Sequence, residues 1–409
     1  MALVQAALPQ VRNRGVEYPF RQDSYFHYLT GFDEPGAFLA VSSDPFKTVL
    51  FCQEKDKEAE MWTGERLGPE AAKERLGVDE SWPVSSLDEK MPELLAGQKR
   101  IACLLDPARL EKPLAWKKAL LARKRDGVKS PQEILDLALF LDPMRQVKDG
   151  QEIALMREAA RISAKGHLAA MKAARPGVME YEIEAEILYH FKKEGSAFPA
   201  YWPIVAGGRN ACVLHYTQNR DPLPAGSLLL IDAGAEYRGY AADITRTFPA
   251  DGRFSGPQGD LYQVVLLAQE AAIKEIAPGK TVNDYHEAAT RVLVEGMVHL
   301  GLLEGEVEEI IETQKHKKFY PHRTGHWLGM DVHDCGSYRE EDGSWKRLSP
   351  GMVLTVEPGI YVREGEGPEH FWNMGIRIED DVLVTEDGHE VLTSEVPKAI
   401  SDIEAFLRV

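Results

Sequence analysis

Cysteine is scarce in this 409-residue chain: Cys52, Cys103, Cys212 and Cys335 lie far apart and never form a C-x-x-C pair. That excludes a cysteine zinc site or a disulfide scaffold, and reads as free, buried thiols in a reducing compartment. Positive charge is also in deficit. Lys and Arg number 48 against 65 Asp and Glu, and a net charge of −17 repels phosphate backbones and anionic lipid surfaces. No run approaches the roughly 20 apolar residues of a membrane span. The opening Met1-Ala-Leu-Val-Gln has no basic segment leading into an apolar stretch. Nucleic acid and membrane are therefore not expected as partners, and the cytoplasm is the expected address.

Apolar residues, at 44% of a length beyond what one core usually organises, are enough for two domains. Residues 1–145 mix β-rich runs at 47–52 and 100–105 with helical stretches such as 133–141, which reads as a smaller α/β domain. It has no His, Cys or carboxylate cluster at ligand spacing, so its expected part is to shape access or assembly. The boundary is placed near Asp142-Pro143, before a long amphipathic helix opening around Asp149, and leaves 146–409 as the second domain.

The second domain repeats its layout. A helix over 151–175 ends at Pro176-Gly177, a second spans 180–193, and strand-like runs follow, one ending at His215 and one at Asp232. The later copy has helices over 260–277 and 282–300 around Pro278-Gly279, then strand-like runs ending at His333 and Glu357. Two such α+β halves facing each other would gather these groups around a pseudo-twofold axis over an antiparallel sheet.

Asp232 and Asp243 flank a segment whose polar centre and Gly239 predict a hairpin turn. Pairing centred on residues 237 and 238 would set the two aspartates directly opposite, about 5 Å apart on one face. In apolar strands that is destabilising unless a proton or a cation intervenes. Glu357 and Glu379 offer a matching pair, and the loop His322-Arg-Thr-Gly-His326-Trp-Leu-Gly329 could present an imidazole. Any one of these acids alone reads as an ordinary strand-end charge, but four together are too costly to bury unpaired. Four carboxylates and one histidine favour manganese, iron, cobalt or zinc, as two ions about 3.5 to 4 Å apart. Arg377 falls on the same strand face as Glu379, either to orient ligand carboxylates or as an ordinary ion pair. His215 and His333, taken singly, read more readily as packed, hydrogen-bonded residues than as functional ones.

The strings Val213-Leu-His-Tyr216, Leu230-Ile-Asp-Ala-Gly234, Tyr240-Ala-Ala-Asp-Ile-Thr-Arg-Thr-Phe248, Gly325-His-Trp-Leu-Gly-Met-Asp-Val-His333, Thr355-Val-Glu-Pro-Gly-Ile-Tyr361 and Gly375-Ile-Arg-Ile-Glu-Asp-Asp381 closely resemble the Xaa-Pro aminopeptidases, or aminopeptidase P. These are pita-bread metallopeptidases, a group that includes prolidase, methionine aminopeptidase and creatinase. The N-terminal Glu17-Tyr-Pro-Phe-Arg-Gln22 and Tyr28-Leu-Thr-Gly-Phe32 resemble aminopeptidase P in particular, although the chain starts close to that motif, as if the family's opening strand and helix were shortened.

The resemblance implies cleavage of small peptides after the residue that precedes a proline. It implies two divalent ions, manganese foremost, with Asp232 on one, Asp243 and Glu379 bridging, and His326 and Glu357 on the other. A hydroxide between the ions would attack, Glu357 would shuttle the proton to the leaving nitrogen, and His215 and His333 would contact the substrate near the scissile carbonyl. His322, Arg377 and Tyr361 would belong to the same site. The segment Ala59-Glu-Met-Trp-Thr-Gly-Glu-Arg-Leu-Gly68, with Trp62, resembles one that closes a neighbouring subunit's cleft, which implies a homodimer or homotetramer. Prolidase shares the five ligands and is the nearest alternative; a metal-free protein-binding module of the same fold would have lost them.

Overall fold

The computed structural model describes residues 1–408, and the chain divides into two compact units, Met1–Pro143 and Met144–Val409. In the first unit six strands form one mixed sheet, in the order Glu80–Pro83, Phe46–Cys52, Phe38–Ser43, Ala2–Gln5, Arg100–Cys103 and Glu133–Asp136. Period-two alternation splits the apolar residues between two cores. Leu3, Phe38 and Phe51 pack on one face with Met91 and Trp116, and Val4, Leu39 and Leu50 pack on the other with Phe26. The stretch 133–141, read as helical, is instead the strand Glu133–Asp136 leading to the helix Ala138–Gln146. Parallel pairing of Ile134 with Ile101 draws it into the sheet, so a distant partner overrides its helical propensity.

Two helical pairs cover the second unit, Gly150–Ala173 with Glu180–Lys193 and Gly256–Lys274 with Asp284–His299. Capping boxes start the first and third of these helices: Asp149 with Glu152, and Ser255 with Gln258. The strand Leu228–Asp232 lies between Ile204–Gly207 and Thr245–Pro249, and Val353–Val356 pairs with Asp380–Val384, both ladders antiparallel. Leu229 and Ile231 point into the large core beneath the helices, while Leu230 joins Ile204, Ala206, Ala211 and Tyr216 on the opposite face. Alternation therefore turns Asp232 towards that second face. The two halves join where Glu379 N–H donates to Thr245 O at 3.0 Å.

His215 and His333 do not end strands. Residues 208–212 form a 3₁₀ turn, 213 a bend and 214–215 a turn, and 329–333 have no regular structure. β-branched residues make a strand only where a sheet edge is available, and these runs meet none.

Candidate metal centre

The first hairpin turns on Arg238 and Gly239, both with positive φ (48° and 84°), as a two-residue turn of the primed kind. Tyr237 therefore pairs with Tyr240, and Asp232 with Thr245. The expected direct opposition of Asp232 and Asp243 is corrected by this register. A two-residue offset leaves them diagonal but on the same face, because the side-chain period is two. Ala233 N donates to Ile244 O and Ala242 N to Ala235 O, so Gly234 faces Asp243. Any Cβ at Gly234 would collide with the carbonyl oxygen of Ala242. Direct opposition occurs in the second half instead. Val356 pairs with Asp380 and Gly359 with Arg377, which brackets Glu357 against Glu379.

Asp243, His326 and Glu379 each offer a ligand atom within 4.8 Å of the others. Asp232 and Glu357 line the same cleft of about 620 Å³, together with His215, His322, His333 and Arg377. His326 Nδ1 lies 3.0 Å from Trp327 O, a carbonyl that can only accept, so Nδ1 carries the proton. Its Nε2 is left facing Asp243 Oδ2 at 3.5 Å and Glu357 Oε1 at 3.9 Å, the orientation of a ligating imidazole.

The electrostatics fit divalent cations. Burial, reinforced by the neighbouring carboxylates, raises the Asp232 and Glu379 carboxyls above their usual range, Glu379 well above it. Burial likewise pushes Glu357 up to about 7, against the pull of His326 and Arg377. For His326, burial favours the neutral ring, but the hydrogen bond and charge of Asp243, helped by Glu357, outweigh it and raise it to about 9. The single Tyr201 hydroxyl lies 2.5 Å from both Asp232 Oδ1 and Asp243 Oδ1. One hydrogen cannot serve two ionised acceptors, so a proton or a cation must complete the set. Oxygen-rich, with one nitrogen, this donor set suits manganese, cobalt, iron or zinc.

Arg377 holds Asp232 Oδ2 at 2.5 Å and donates to Thr245 Oγ1 at 3.2 Å, while Thr245 donates to Glu379 Oε2 at 2.6 Å. Tyr361 does not line the cleft; it lies behind it, accepting from Arg377 and hydrogen-bonded to His322 Nε2, each at 2.9 Å. His322 Nδ1 donates to Arg323 O at 2.7 Å, so both ring nitrogens are engaged and the ring is a cleft wall. Trp62 is 86% exposed and is not among the residues lining the cleft. Three contributors escaped the sequence reading: Tyr201, Thr245, and Asp381, whose carboxylate receives Asp243 N–H at 3.0 Å. Thr245 was recoverable from the correct hairpin register; Tyr201 has no periodic signal.

Residues 154–386 match metallopeptidase family M24, and residues 1–102 match the aminopeptidase P N-terminal domain. The Haemophilus influenzae Xaa-Pro aminopeptidase is 44% identical over 408 residues, spanning 99% of this chain and 92% of that protein. The Escherichia coli Xaa-Pro aminopeptidase is 41% identical over 419 residues, spanning 99% and 93%. Among solved structures, Pseudomonas aeruginosa aminopeptidase PepP superposes with a TM-score of 0.98 at 46% identity, covering 100% of this chain and 93% of that one. Zinc-substituted Escherichia coli aminopeptidase P in complex with product gives 0.96 at 41% identity, covering 100% and 93%. Matched by both domains in order and by relatives along nearly its whole length, the chain belongs to the Xaa-Pro aminopeptidases, pita-bread enzymes of metallopeptidase family M24.

Proposed function

We propose that the chain is a dinuclear Xaa-Pro aminopeptidase, hydrolysing the bond between the first residue of a small peptide and a following proline. The observation that carries this is the approach of Asp243, His326 and Glu379 in a cleft that also holds Asp232 and Glu357. Asp232, Asp243, His326, Glu357 and Glu379 would hold two divalent ions, manganese foremost, with cobalt, zinc or iron accepted by the same donors. Bound there, the ions supply a water ionised near neutral pH and a Lewis acid for the carbonyl.

Glu357, lining the cleft beside His326, would take the proton of the attacking water and return it to the leaving proline nitrogen. His333, kept neutral by burial, would donate to the developing oxyanion, with His215 across the same cleft. Arg377 fixes Asp232, and Tyr361 fixes Arg377 and His322. Ile204, Leu214 and Val332 supply an apolar wall that suits a pyrrolidine ring.

Residues 1–145 would shape access and assembly and residues 146–409 carry the chemistry. Met61 and Trp62, 82% and 86% exposed, support a homo-oligomer, dimer or tetramer, in which this surface meets another copy. Free cysteines at all four positions support a cytoplasmic address. The test is purified protein with added manganese, cobalt or zinc, assayed on Xaa-Pro-Yaa tripeptides and Xaa-Pro dipeptides. Release of the first residue from tripeptides is expected; cleavage of dipeptides alone would make it a prolidase, and no cleavage at full metal occupancy would defeat the proposal.

A further inference from the structure

His333 sits on a segment without regular structure, so something other than a backbone ladder must hold it against the cleft. Next to it in sequence, Asp334 Oδ1 lies 2.7 Å from Arg145 Nη2 and Oδ2 lies 3.0 Å from Lys148 Nζ, with all three side chains 1% exposed. Arg145 also reaches Asp331 Oδ2 at 2.8 Å. A carboxylate between two buried cations is a stiff anchor, because any displacement leaves a charge unpaired in a low dielectric.

The segment is tied to that anchor. Asp334 N–H donates to Trp327 O at 3.0 Å, Gly329 N–H to Asp331 O at 3.2 Å, and Gly329 O accepts from Ala241 of the Asp243 hairpin at 2.8 Å. A Cβ at Gly329 would collide with Asp334 Oδ2, so the backbone rests directly on the ion cluster. The loop so closed sets the His333 ring against His326, with centroids 4.1 Å apart and ring planes tilted by 54°.

We infer that Asp334, clamped by Arg145 and Lys148, is a positioning residue for His333: the ion cluster sets where that imidazole meets the substrate. The inference rests on the peptidase reading above, in which His333 faces the scissile carbonyl.

The experiment is a double-mutant cycle in the full-length, manganese-loaded protein, with Asp334→Asn, His333→Ala and the pair. It measures kcat and KM on a Xaa-Pro tripeptide, metal content and thermal midpoint. Asp334→Asn should lower kcat by roughly 10- to 100-fold with wild-type metal content, and add less than about twofold once His333 is already Ala. Losses that multiply in the two backgrounds, or loss of metal from Asp334→Asn, would overturn it. If Asp334→Asn does not fold, Arg145→Lys, which keeps the charge but loses the planar fork, enters the same cycle with the same expectation. Wild-type cleavage in the same assay separates the two ideas: an active wild type with an unaltered Asp334→Asn refutes the positioning role alone.

Discussion

Strip the divalent ions from this protein and His326 should become the cation that replaces them. Its Nε2 faces Asp243 and Glu357, and in the ion-free chain those acids hold the imidazolium up to about pH 9, against an ordinary 6.5. The raised folded value means a stabilising contribution fully present below pH 6.5 and lost as the pH climbs through 9. That interval corresponds to about 3 kcal/mol. Glu357, raised from 4.5 to about 7, acts in the same direction at the lower end, since ionising it inside the acid cluster is unfavourable. His167 and His322, lowered to about 4, and His286, lowered to about 3, work the other way, because they are buried neutral. Their gain is complete once the pH exceeds 6.5, so these three histidines no longer offset the metal cluster in the window from 6.5 to 9. Thermal melts of chelator-treated protein should fall by roughly 6 °C across that window, taking about 2 °C per kcal/mol. With manganese bound, the ligands are deprotonated throughout and the curve should be flat. Calorimetric titration with manganese at pH 7.5, in buffers of different ionisation enthalpy, should show about one or more protons released per chain. A flat ion-free curve, or metal uptake without proton release, would refute the reasoning.

Three further outcomes follow from the same contacts. Arg377→Met leaves Asp232 buried without its 2.5 Å partner, and kcat/KM on a tripeptide should drop roughly 10- to 100-fold with weaker manganese binding; unchanged kinetics would remove Arg377 from the site. Gly234→Ala forces the Asp232 and Asp243 strands apart at Ala242 O, so metal content measured by atomic absorption should fall together with the melting temperature, and full occupancy would count against the register described. Asp380 is buried, which alone would raise its carboxyl, but Arg246 at 2.7 Å and Lys398 at 2.6 Å hold it well below the ordinary 3.8. Asp380→Asn should therefore cost about 3–5 kcal/mol in urea unfolding at pH 7. The wild-type pair keeps this contribution above pH 3.8 and loses it in stronger acid.

Much of the fold could be read along the chain because the signals are local. The helix Glu180–Lys193 follows from its apolar period, and the start of Gly150–Ala173 from the Asp149 capping box. The buried run Leu228–Asp232 reads as a strand from its length and its apolar composition. The metal-site candidates were legible for a similar reason: acids in apolar strands are costly to bury, and the sequence holds four of them in two related halves.

What the sequence by itself determined is thus a candidate donor set: four acids and a histidine whose burial together calls for positive charge between them. Tertiary structure alone decided their geometry. It set the offset of Asp232 from Asp243, because the φ values of Arg238 and Gly239 move the turn by one residue. It supplied Tyr201 from outside either hairpin, and it held His333 through ion pairs with Arg145 and Lys148, whose partner Asp334 lies 189 and 186 residues along the chain. Contacts between residues so distant in sequence leave no periodicity to read, since each side chain is placed by the packing of the whole unit rather than by its neighbours.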